Sequence, residues 1–555
     1  MSSLANILRD PFLELAVILF LAAAAGSLGQ LLRQPLIVMF IALGILIGPS
    51  ALNIIQSQAQ IHLLAEVGIA LLLFIVGLRL DLQLVRSIGK TALFTGLGQV
   101  IFTSVAGYLI GLALGFPALH SLYIAVALTF SSTIIIVKLL TDKKEIDSLY
   151  GQIAIGFLIV QDLVVILIMI LLSTLSKGES ASLVEDFSRT GLKGALLAGC
   201  IYLLMRWVIP AITTFLAKSQ ELLTLFSIAW AILLASASQL LGFSSEVGAF
   251  LAGVSLASTP FRESISARLA SLRDFLLLFF FINLGAMLDL STLEAQVPAA
   301  IVFSFFVLIG NPVIVLIIMG VMGYTKRTSF LAGLTVAQIS EFSLILAGMG
   351  YNVGHISAEV VGLITLVGLI TIGLSTYMIL YSHILYSWLA PLLQVFERKS
   401  PYKENVLALN TREPYKALVI GLGRFGSAIA ENLRRHGINL LGVDTDPKVV
   451  KQFREAGFDV EYGDLEDPDI FDRLPCQTAA YIINTVPDEG LAKSMLKHLR
   501  TRGYTGKILV TAKTAKSAAR LRKQDADDVL VPLTMAADGI VDRLSALASQ
   551  HATPN

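Results

Sequence analysis

Charged residues are scarce in this chain of 555 residues. Asp, Glu, Lys and Arg together make up 15% of it, whereas hydrophobic residues make up 55%. Soluble domains carry about 25% charged residues, so the composition excludes an ordinary soluble protein and indicates a membrane protein with a further domain attached. The formal net charge is only +1. Because nucleic-acid binding needs an excess of basic charge, this balance argues against nucleic acid as a partner.

Cysteine is equally rare. The two cysteines, Cys200 and Cys476, lie far apart and have no metal-site spacing, so we assign them neither a disulfide nor a redox role. The first residues, MSSLANILRDPFLEL, lack the basic start and the small-residue cleavage site of a signal peptide. We therefore expect the first apolar run to be retained as a helix.

Long apolar runs dominate the first 393 residues. A helix needs about 20 residues to cross a bilayer, and we count about 13 candidate runs, of which the ninth is short and the sixth and last are long. From residue 397 the composition turns mixed and charged. We predict a transmembrane domain over 1–393, a linker over 394–414 and a further domain over 415–555. The predicted spans are 12–31, 35–52, 61–79, 91–115, 119–140, 150–176, 191–209, 221–241, 245–258, 272–290, 297–322, 328–350 and 357–388.

Lys and Arg are concentrated in alternate loops between these spans, which predicts that those loops face the cytoplasm. For example, Arg79, Arg86 and Lys90 share one loop, while the next loop, GFPALHS, contains none. An odd number of spans then places the N-terminus outside the cell and the C-terminal domain in the cytoplasm. We expect a multi-pass protein of the inner, cytoplasmic membrane.

Asp162 lies near the centre of the sixth span. A charged side chain at that depth costs roughly 2.5–3.5 kcal/mol to insert, which favours a functional role. A lone membrane hydroxyl usually bonds to its own helix, but polar residues of three further spans fall at about the same depth. The candidate ion-binding set is therefore Asp162 and Gln161 with Ser131, Ser132, Thr133, Asn311, Gln338 and Glu341.

The fifth and sixth spans stand about half a bundle from the eleventh and twelfth, a pattern typical of inverted repeats with broken helices. We expect interruptions at 131–133 and 338–341, where helix ends and backbone carbonyls could coordinate a cation beside Asp162. One carboxylate holds either a proton or a cation. Competition for Asp162 therefore predicts exchange of one cation per proton, with Glu341 as a second candidate titrating group.

The C-terminal domain carries a dinucleotide fingerprint. Strands alternate with helices from Tyr415, which predicts a doubly wound α/β sheet of about six strands. The segment GLGRFGSAIAENL follows a predicted strand and opens a helix, and an acidic residue follows about 20 residues later. Phosphate is expected at the helix N-terminus and ribose at the acid. The candidate cofactor-binding residues are Gly421, Gly423, Arg424, Phe425, Gly426 and Asp444.

Six stretches make the chain resemble the Kef-type branch of the monovalent cation:proton antiporters over nearly its whole length. They are LLLFIVGLRLDLQLV, ALTFSSTIIIVKLL, FLIVQDLVVI, SEVGAFLAGVSLASTPFRE, LLLFFFINLGAMLDL and AQISEFSLILAGMG. The resemblance implies a homodimer of all-α, 13-helix subunits, each with a dimerisation panel and a moving core, that transports K⁺. It maps the ion-binding carboxylate onto Asp162. Some relatives have two adjacent acids where this chain has Gln161 and Asp162. Some relatives also have a basic residue where this chain has Asn311.

The C-terminal part resembles the RCK or KTN domains that gate potassium conductance, through GRFG, GVDTDP and YGD. The resemblance implies a Rossmann-like regulatory domain that binds NAD(H) or AMP and pairs with a second copy. It adds Asp464 as a candidate near the adenine or the second ribose. It also allows an ancillary regulatory subunit as a partner.

Three alternatives remain open. A Na⁺/H⁺ antiporter of the same fold is possible, because cation choice depends on cavity size and ligand geometry. A nucleotide-gated K⁺ channel would need a carbonyl-ring filter such as TVGYG, which does not occur in the sequence. A membrane-anchored dehydrogenase would need a substrate pocket and a proton-relaying histidine that we do not find in the sequence, so we expect no enzyme activity.

Overall fold

The structure is a computed structural model that describes residues 10–78, 89–143, 145–146, 148–175, 199, 201, 203–241, 244–288, 290–397, 415–463 and 470–551. The chain divides into two compact units. The first comprises Met1–Lys143, Ile153–Met322 and Thr328–Glu397. The second comprises Lys144–Gln152, Gly323–Arg327 and Arg398–Asn555.

Up to residue 396 the described chain is helical. The helices are α1 (Pro11–Leu32), α2 (Leu36–Ile47), α3 (Gln58–Leu78), α4 (Lys90–Ala113), α5 (Ala118–Ala127), α6 (Thr133–Lys143), α7 (Leu149–Leu175), α8 (Ile209–Leu216), α9 (Gln220–Leu241), α10 (Ser245–Ala257), α11 (Arg262–Ala286), α12 (Leu290–Phe305), α13 (Asn311–Val321), α14 (Lys326–Leu334), α15 (Glu341–Asn352), α16 (Ala358–Leu380) and α17 (Ser382–Leu393). Among the described residues, eight segments are long and apolar enough to cross a membrane. The predicted all-α membrane domain is thus confirmed.

The predicted spans overlap these helices, but several bounds differ. The helix of the eleventh span begins at Leu290, that of the seventh continues to Leu216, and that of the second ends at Ile47. The helix of the tenth span begins at Arg262, ten residues before the predicted start, because it continues in the N-terminal direction beyond the apolar run into a segment that carries charged residues. The thirteenth is divided: α16 ends at Leu380 and α17 begins at Ser382, since Tyr381 leaves helical geometry with ψ 21°. Most of the predicted seventh span, 191–209, lies outside the described residues.

Two π-helical turns precede prolines. The first, Leu204–Val208, comes just before Pro210, and the second, Phe306–Gly310, comes just before Pro312. Proline has no backbone N–H and clashes with the carbonyl four residues earlier, so the regular helical ladder cannot pass through it. A π-turn absorbs the mismatch by adding a residue to the turn. Asn311 directly follows the second turn and is fully buried.

Two buried hydrophobic clusters meet at α3 and α11. Phe280 and Phe281 belong to one cluster, which also contains residues of α5, α7, α15 and α16. Phe279 and Ile282 belong to the other, with residues of α1, α2, α9 and α10. Neighbouring residues of α11 therefore pack into different clusters. The same holds for α3, whose residues Leu71 to Phe74 are divided between the two clusters.

Glycines bring the helices of the second cluster into close contact. α2 and α11 meet at Gly44 and Gly285, and α3 and α10 meet at Gly77 and Gly253. A methyl group on any of the four would overlap a backbone carbonyl of the facing helix. In a membrane, helices associate through such close packing rather than through the hydrophobic effect.

The second unit contains a six-stranded parallel sheet, which confirms the predicted Rossmann-like fold. Its strands are in the order β3-β2-β1-β4-β5-β6. The elements are β1 (Ala417–Ile420), α18 (Arg424–Arg435), β2 (Leu440–Asp444), α19 (Pro447–Glu455), β3 (Val460–Tyr462), α20 (Ile470–Arg473), β4 (Tyr481–Asn484), α21 (Glu489–Thr501), β5 (Lys507–Thr511), α22 (Ala515–Arg522), β6 (Asp528–Leu530) and α23 (Pro532–His551). The strand order reverses between β1 and β4, and ligands of such sheets bind at that switch point.

Candidate functional site

Two helices are interrupted where the sequence predicts it. The chain is unwound over 128–132, between α5 and α6, and over 335–340, between α14 and α15. Side chains bond to backbone groups that lack helical hydrogen-bond partners here. Ser132 Oγ accepts from Ile135 N at 3.3 Å, and Ser340 forms a capping box with Ser343 at the start of α15. Short polar side chains of this kind offer the backbone an alternative to the helix.

Asp162 lies on α7 and faces the first interruption. Its Oδ2 accepts a hydrogen bond from Thr133 Oγ1 at 2.9 Å, and Thr133 is the first residue of α6. The Asp162 side chain is half-buried. Because the N-terminus of a helix carries partial positive charge, α6 favours an anion at this position.

Glu341 begins the helix that follows the second interruption, as Thr133 does at the first. It is the first residue of α15 and is 2% exposed. Ser340 Oγ donates to Glu341 Oε2 at 3.3 Å. The Asp162 carboxylate thus lies at the N-terminal end of α6, and Glu341 lies at the N-terminal end of α15.

Gln161 belongs to a buried network of amides and hydroxyls. Its Oε1 accepts from Ser131 N at 3.1 Å, and its Nε2 donates to Gln99 Oε1 at 2.7 Å. Gln99 Nε2 donates to Thr103 Oγ1 at 3.0 Å, and Thr103 Oγ1 donates to Asn311 Oδ1 at 2.7 Å. Asn311 is thus joined to Gln161 through two residues of α4.

The sequence interpretation did not find Gln99 and Thr103. Both lie mid-way along the fourth apolar run, four residues apart, and are fully buried. That spacing places them on one face of a helix. Two polar residues on one face of a membrane helix are the pattern in the sequence that could have identified Gln99 and Thr103.

Gln338 lies in the second interruption and contacts α16. Ser375 Oγ is 2.9 Å from Gln338 Oε1, and Thr371 Oγ1 is 3.4 Å from Ile339 N. Within the described residues, two buried polar atoms at the interruptions have no hydrogen-bond partner, namely Ser131 Oγ and Gln338 Nε2. A buried polar atom without a partner is rare and requires an explanation.

A cavity of 640 Å³ reaches Glu341. Its wall includes Ile134 and Ile135, which follow Thr133 on α6, and Thr376 of α16. Charged residues also line it, among them Arg33, Lys138, Asp142 and Asp274. Apolar side chains form most of the remaining wall, so the cavity brings Glu341 and these charged groups together within a largely hydrophobic surround.

The glycine loop of the second unit has the geometry that the fingerprint requires. Gly421 follows β1 with φ +85°, a conformation that favours glycine. A methyl group on Gly426 would overlap the Gly421 carbonyl, so only glycine lets α18 begin this close to β1. Gly423 precedes the first residue of α18, and nothing lies within 4 Å of where its Cβ would be. The N-terminus of α18 is therefore open to a phosphate.

Asp444 ends β2 and holds the loop. Its Oδ2 accepts from Leu422 N at 2.6 Å, and its Oδ1 accepts from Asp446 N at 2.8 Å. Each carboxylate oxygen has a second lone pair that could accept a ribose hydroxyl. Thr485, which follows β4, donates to Gly421 O at 2.6 Å and was not predicted.

The remaining nucleotide candidates are placed differently. Arg424 is exposed at the start of α18. Phe425 lines a shallow groove along α18 with Leu433 and Ile438. Asp464 lies outside the described residues.

Comparisons with known proteins cover both units. Residues 16–380 match the family described as sodium/hydrogen exchanger, transmembrane, and residues 417–532 match the TrkA-N domain. The glutathione-regulated potassium-efflux system protein KefC of Salmonella heidelberg is 26% identical over 530 residues, covering 93% of this chain and 82% of that protein.

Two further relatives match a smaller share of the chain. The iron transporter MagA of Paramagnetospirillum magneticum is 30% identical over 372 residues, covering 67% of this chain and 85% of that protein. K(+) efflux antiporter 5 of Arabidopsis thaliana is 30% identical over 355 residues, covering 62% of each. The chain therefore belongs to the sodium/hydrogen exchanger family of transmembrane proteins and carries a TrkA-N domain after the exchanger region.

Proposed function

We propose that this protein exchanges protons for a monovalent cation, K⁺, at Asp162, and that a nucleotide bound to its TrkA-N domain regulates the exchange. The observation that carries the proposal is the half-buried Asp162 carboxylate, held by Thr133 at the end of an interrupted helix. An acid at this depth in a membrane bundle is a functional site by default. Competition between H⁺ and the cation for one carboxylate gives a one-to-one exchange.

The cation ligands would come from both interruptions. Asp162 and Thr133 supply oxygens at the first, and the unpartnered Ser131 Oγ is a further one. Ser375 Oγ donates to Gln338 Oε1 at 2.9 Å at the second interruption. An amide oxygen has two lone pairs, so the second lone pair of Gln338 Oε1 would be left for the cation.

The choice of K⁺ rests on relatives. KefC and the Arabidopsis antiporter are named for potassium efflux. Na⁺ is the second candidate, because the matched family is described as a sodium/hydrogen exchanger. We further propose a homodimer in an inner membrane, with the N-terminus outside and the C-terminal domain in the cytoplasm, with or without an ancillary subunit.

NAD(H) or AMP is the proposed regulatory nucleotide. The open N-terminus of α18 would bind phosphate, and Asp444 would accept from a ribose hydroxyl. A 2′-phosphate beside the Asp444 carboxylate would be repelled, so we expect NADH to bind more tightly than NADPH.

The test is ion-driven proton movement in proteoliposomes that contain the full chain. K⁺, Na⁺ and Rb⁺ are compared, each with and without AMP or NADH. Asp162→Asn keeps the shape and removes the charge, and should abolish exchange. Asp538→Asn makes the same change on the exposed face of α23 and should leave exchange intact. Full exchange by Asp162→Asn would refute the mechanism, and a response to Na⁺ alone would replace K⁺ as the substrate.

A further inference from the structure

A one-directional chain of hydrogen bonds links Gln161 to the interrupted helix. Gln161 Nε2 donates to Gln99, Gln99 Nε2 donates to Thr103, and the Thr103 hydroxyl donates to Asn311. Asn311 Nδ2 then donates to Leu128 O at 3.4 Å. The other end of the chain returns to the same unwound segment, because Gln161 Oε1 accepts from Ser131 N.

The network supplies partners to three backbone groups that the unwound helix leaves without ladder bonds. These are the carbonyls of Leu128 and Thr129 and the N–H of Ser131, since Gln99 Nε2 also lies 3.1 Å from Thr129 O. In a bilayer no water can replace such partners, and each buried unsatisfied group costs about 1–3 kcal/mol. The interruption therefore depends on side chains of α4, α7 and α13.

The network contains no ionisable side chain. Gln99, Thr103, Gln161 and Asn311 are all fully buried. Each of these side chains donates a hydrogen bond to an acceptor, so its neighbours fix the orientation of every amide. None of these hydrogen bonds therefore involves a side chain that gains or loses charge during the exchange.

We infer that Gln99 and Thr103 are positioning residues for the exchange. They hold the Gln161 amide with its oxygen on Ser131 N, and so fix Ser131 Oγ and the start of α6 relative to Asp162. In this arrangement, Gln161 connects α7 to the unwound segment through its hydrogen bond with Ser131 N. The inference rests on the proposed function and adds residues that act through Gln161 and the unwound backbone.

The test compares three variants of α4 in proteoliposomes. Thr103→Val removes the hydroxyl and keeps the shape, whereas Thr103→Ser keeps the hydroxyl. Thr95→Val is the matched control, because Thr95 is equally buried on the same helix and its hydroxyl has no partner among the described residues. The half-saturating K⁺ concentration and the maximal exchange rate are measured separately, and thermal unfolding in detergent reports whether each variant is folded.

We expect Thr103→Val to raise the half-saturating K⁺ concentration roughly fivefold to tenfold, because the variant loses the free energy of about one hydrogen bond that positions the site. Thr103→Ser and Thr95→Val should stay within about twofold of the unmodified chain. Gln99→Asn keeps the amide but shortens its reach, and serves as the second variant with the same expected rise should Thr103→Val not fold.

Equal half-saturating concentrations for Thr103→Val, Thr103→Ser and Thr95→Val would overturn the inference while leaving Asp162 in its role. So would a Gln99→Asn variant that behaves as the unmodified chain. An unmodified chain that exchanges none of the three cations would instead overturn the proposed function, and the inference with it.

Discussion

At the scale of the residue, one hydroxyl joins the candidate acid to the interrupted helix. Thr133 Oγ1 is the hydrogen-bond donor that the structure gives to Asp162 among the described residues. Hydrogen bonds to charged groups contribute about 1.5–3 kcal/mol. Because Thr133 also begins α6, the same residue sets both the helix end and the carboxylate rotamer.

We therefore predict that Thr133→Val raises the half-saturating K⁺ concentration by about tenfold, which corresponds to about 1.4 kcal/mol. Thr133→Ser, which retains the hydroxyl, should stay close to the unmodified chain. The measurement is the K⁺ dependence of proton movement in proteoliposomes. If the two variants give the same curve, the Thr133 hydroxyl has no part in cation binding.

In the second unit, Tyr504 is a buried phenol whose ionisation opposes folding. It is 3% exposed and donates to Ala479 O at 3.0 Å. Burial is the main cause that raises the pKa of Tyr504 to about 12. The unfolded chain loses the phenol proton near pH 10, while the folded chain retains it to about pH 12. The stability that depends on this group is thus complete below about pH 10 and is lost as the pH rises towards 12.

Tyr504→Phe should remove that alkaline loss. The substitution costs about 1 kcal/mol below pH 10 through the lost hydrogen bond. Thermal unfolding of the full chain between pH 8 and about 11.5 would show the two midpoints converging as pH rises. A constant difference between them across this range would show that Tyr504 ionises equally in both states.

At the scale of the element, close helix crossings depend on the absence of a side chain. α3 and α10 cross at Gly77 and Gly253, where the facing carbonyls belong to Phe250 and Phe74. Backbone atoms cannot move aside as a flexible side chain can, so an added methyl forces the two helices apart. The crossing is one of those that define the second hydrophobic cluster.

We predict that Gly253→Ala lowers the thermal unfolding midpoint of the detergent-solubilised chain, because overpacking of this kind costs about 1–3 kcal/mol. Gly348→Ala is the control: it lies within α15 with nothing within 4 Å of the added Cβ. Alanine has the higher helix propensity, so this variant should be neutral or slightly more stable. Equal midpoints for Gly253→Ala and the unmodified chain would contradict the crossing.

At the scale of the whole molecule, the exchanger region and the TrkA-N domain are joined in one chain, and regulation requires that the second acts on the first. Any nucleotide that binds the folded domain stabilises it by about 2.7 kcal/mol at a concentration one hundred times its dissociation constant. Binding and regulation can therefore be measured on the same preparation. Stabilisation without a change in exchange would show binding without regulation.

We predict that Gly426→Ala removes both effects, because its methyl group would overlap the Gly421 carbonyl and displace the phosphate loop. Gly539→Ala, on α23 with open space around the added Cβ, should keep both. The measurements are the thermal midpoint with AMP or NADH and the exchange rate with and without each nucleotide. A Gly426→Ala variant that responds as the unmodified chain does would exclude this loop as the site.

Much of the candidate site could be predicted because it depends on local sequence. An acid in the middle of an apolar run stands out by its insertion cost, as Asp162 does. Polar residues in the middle of the fifth and twelfth spans predict interruptions, and the structure has interruptions before Thr133 and Glu341, where they are expected. The glycine loop was predictable for a similar reason, since the spacing of its three glycines is the one that the tight turn between a strand and a helix requires.

The sequence by itself determined the broad division into a helical membrane region and a parallel sheet, together with the acid at mid-membrane depth, because composition and spacing fix both. Only the tertiary structure decided what the polar residues contact. Asn311 meets Thr103 across 208 positions of sequence, and Glu14 accepts from the backbone of Gln56 and Ser57, 42 and 43 positions away. A buried hydrogen bond needs two partners at one point in space, and chain order does not say which distant residue the fold brings there.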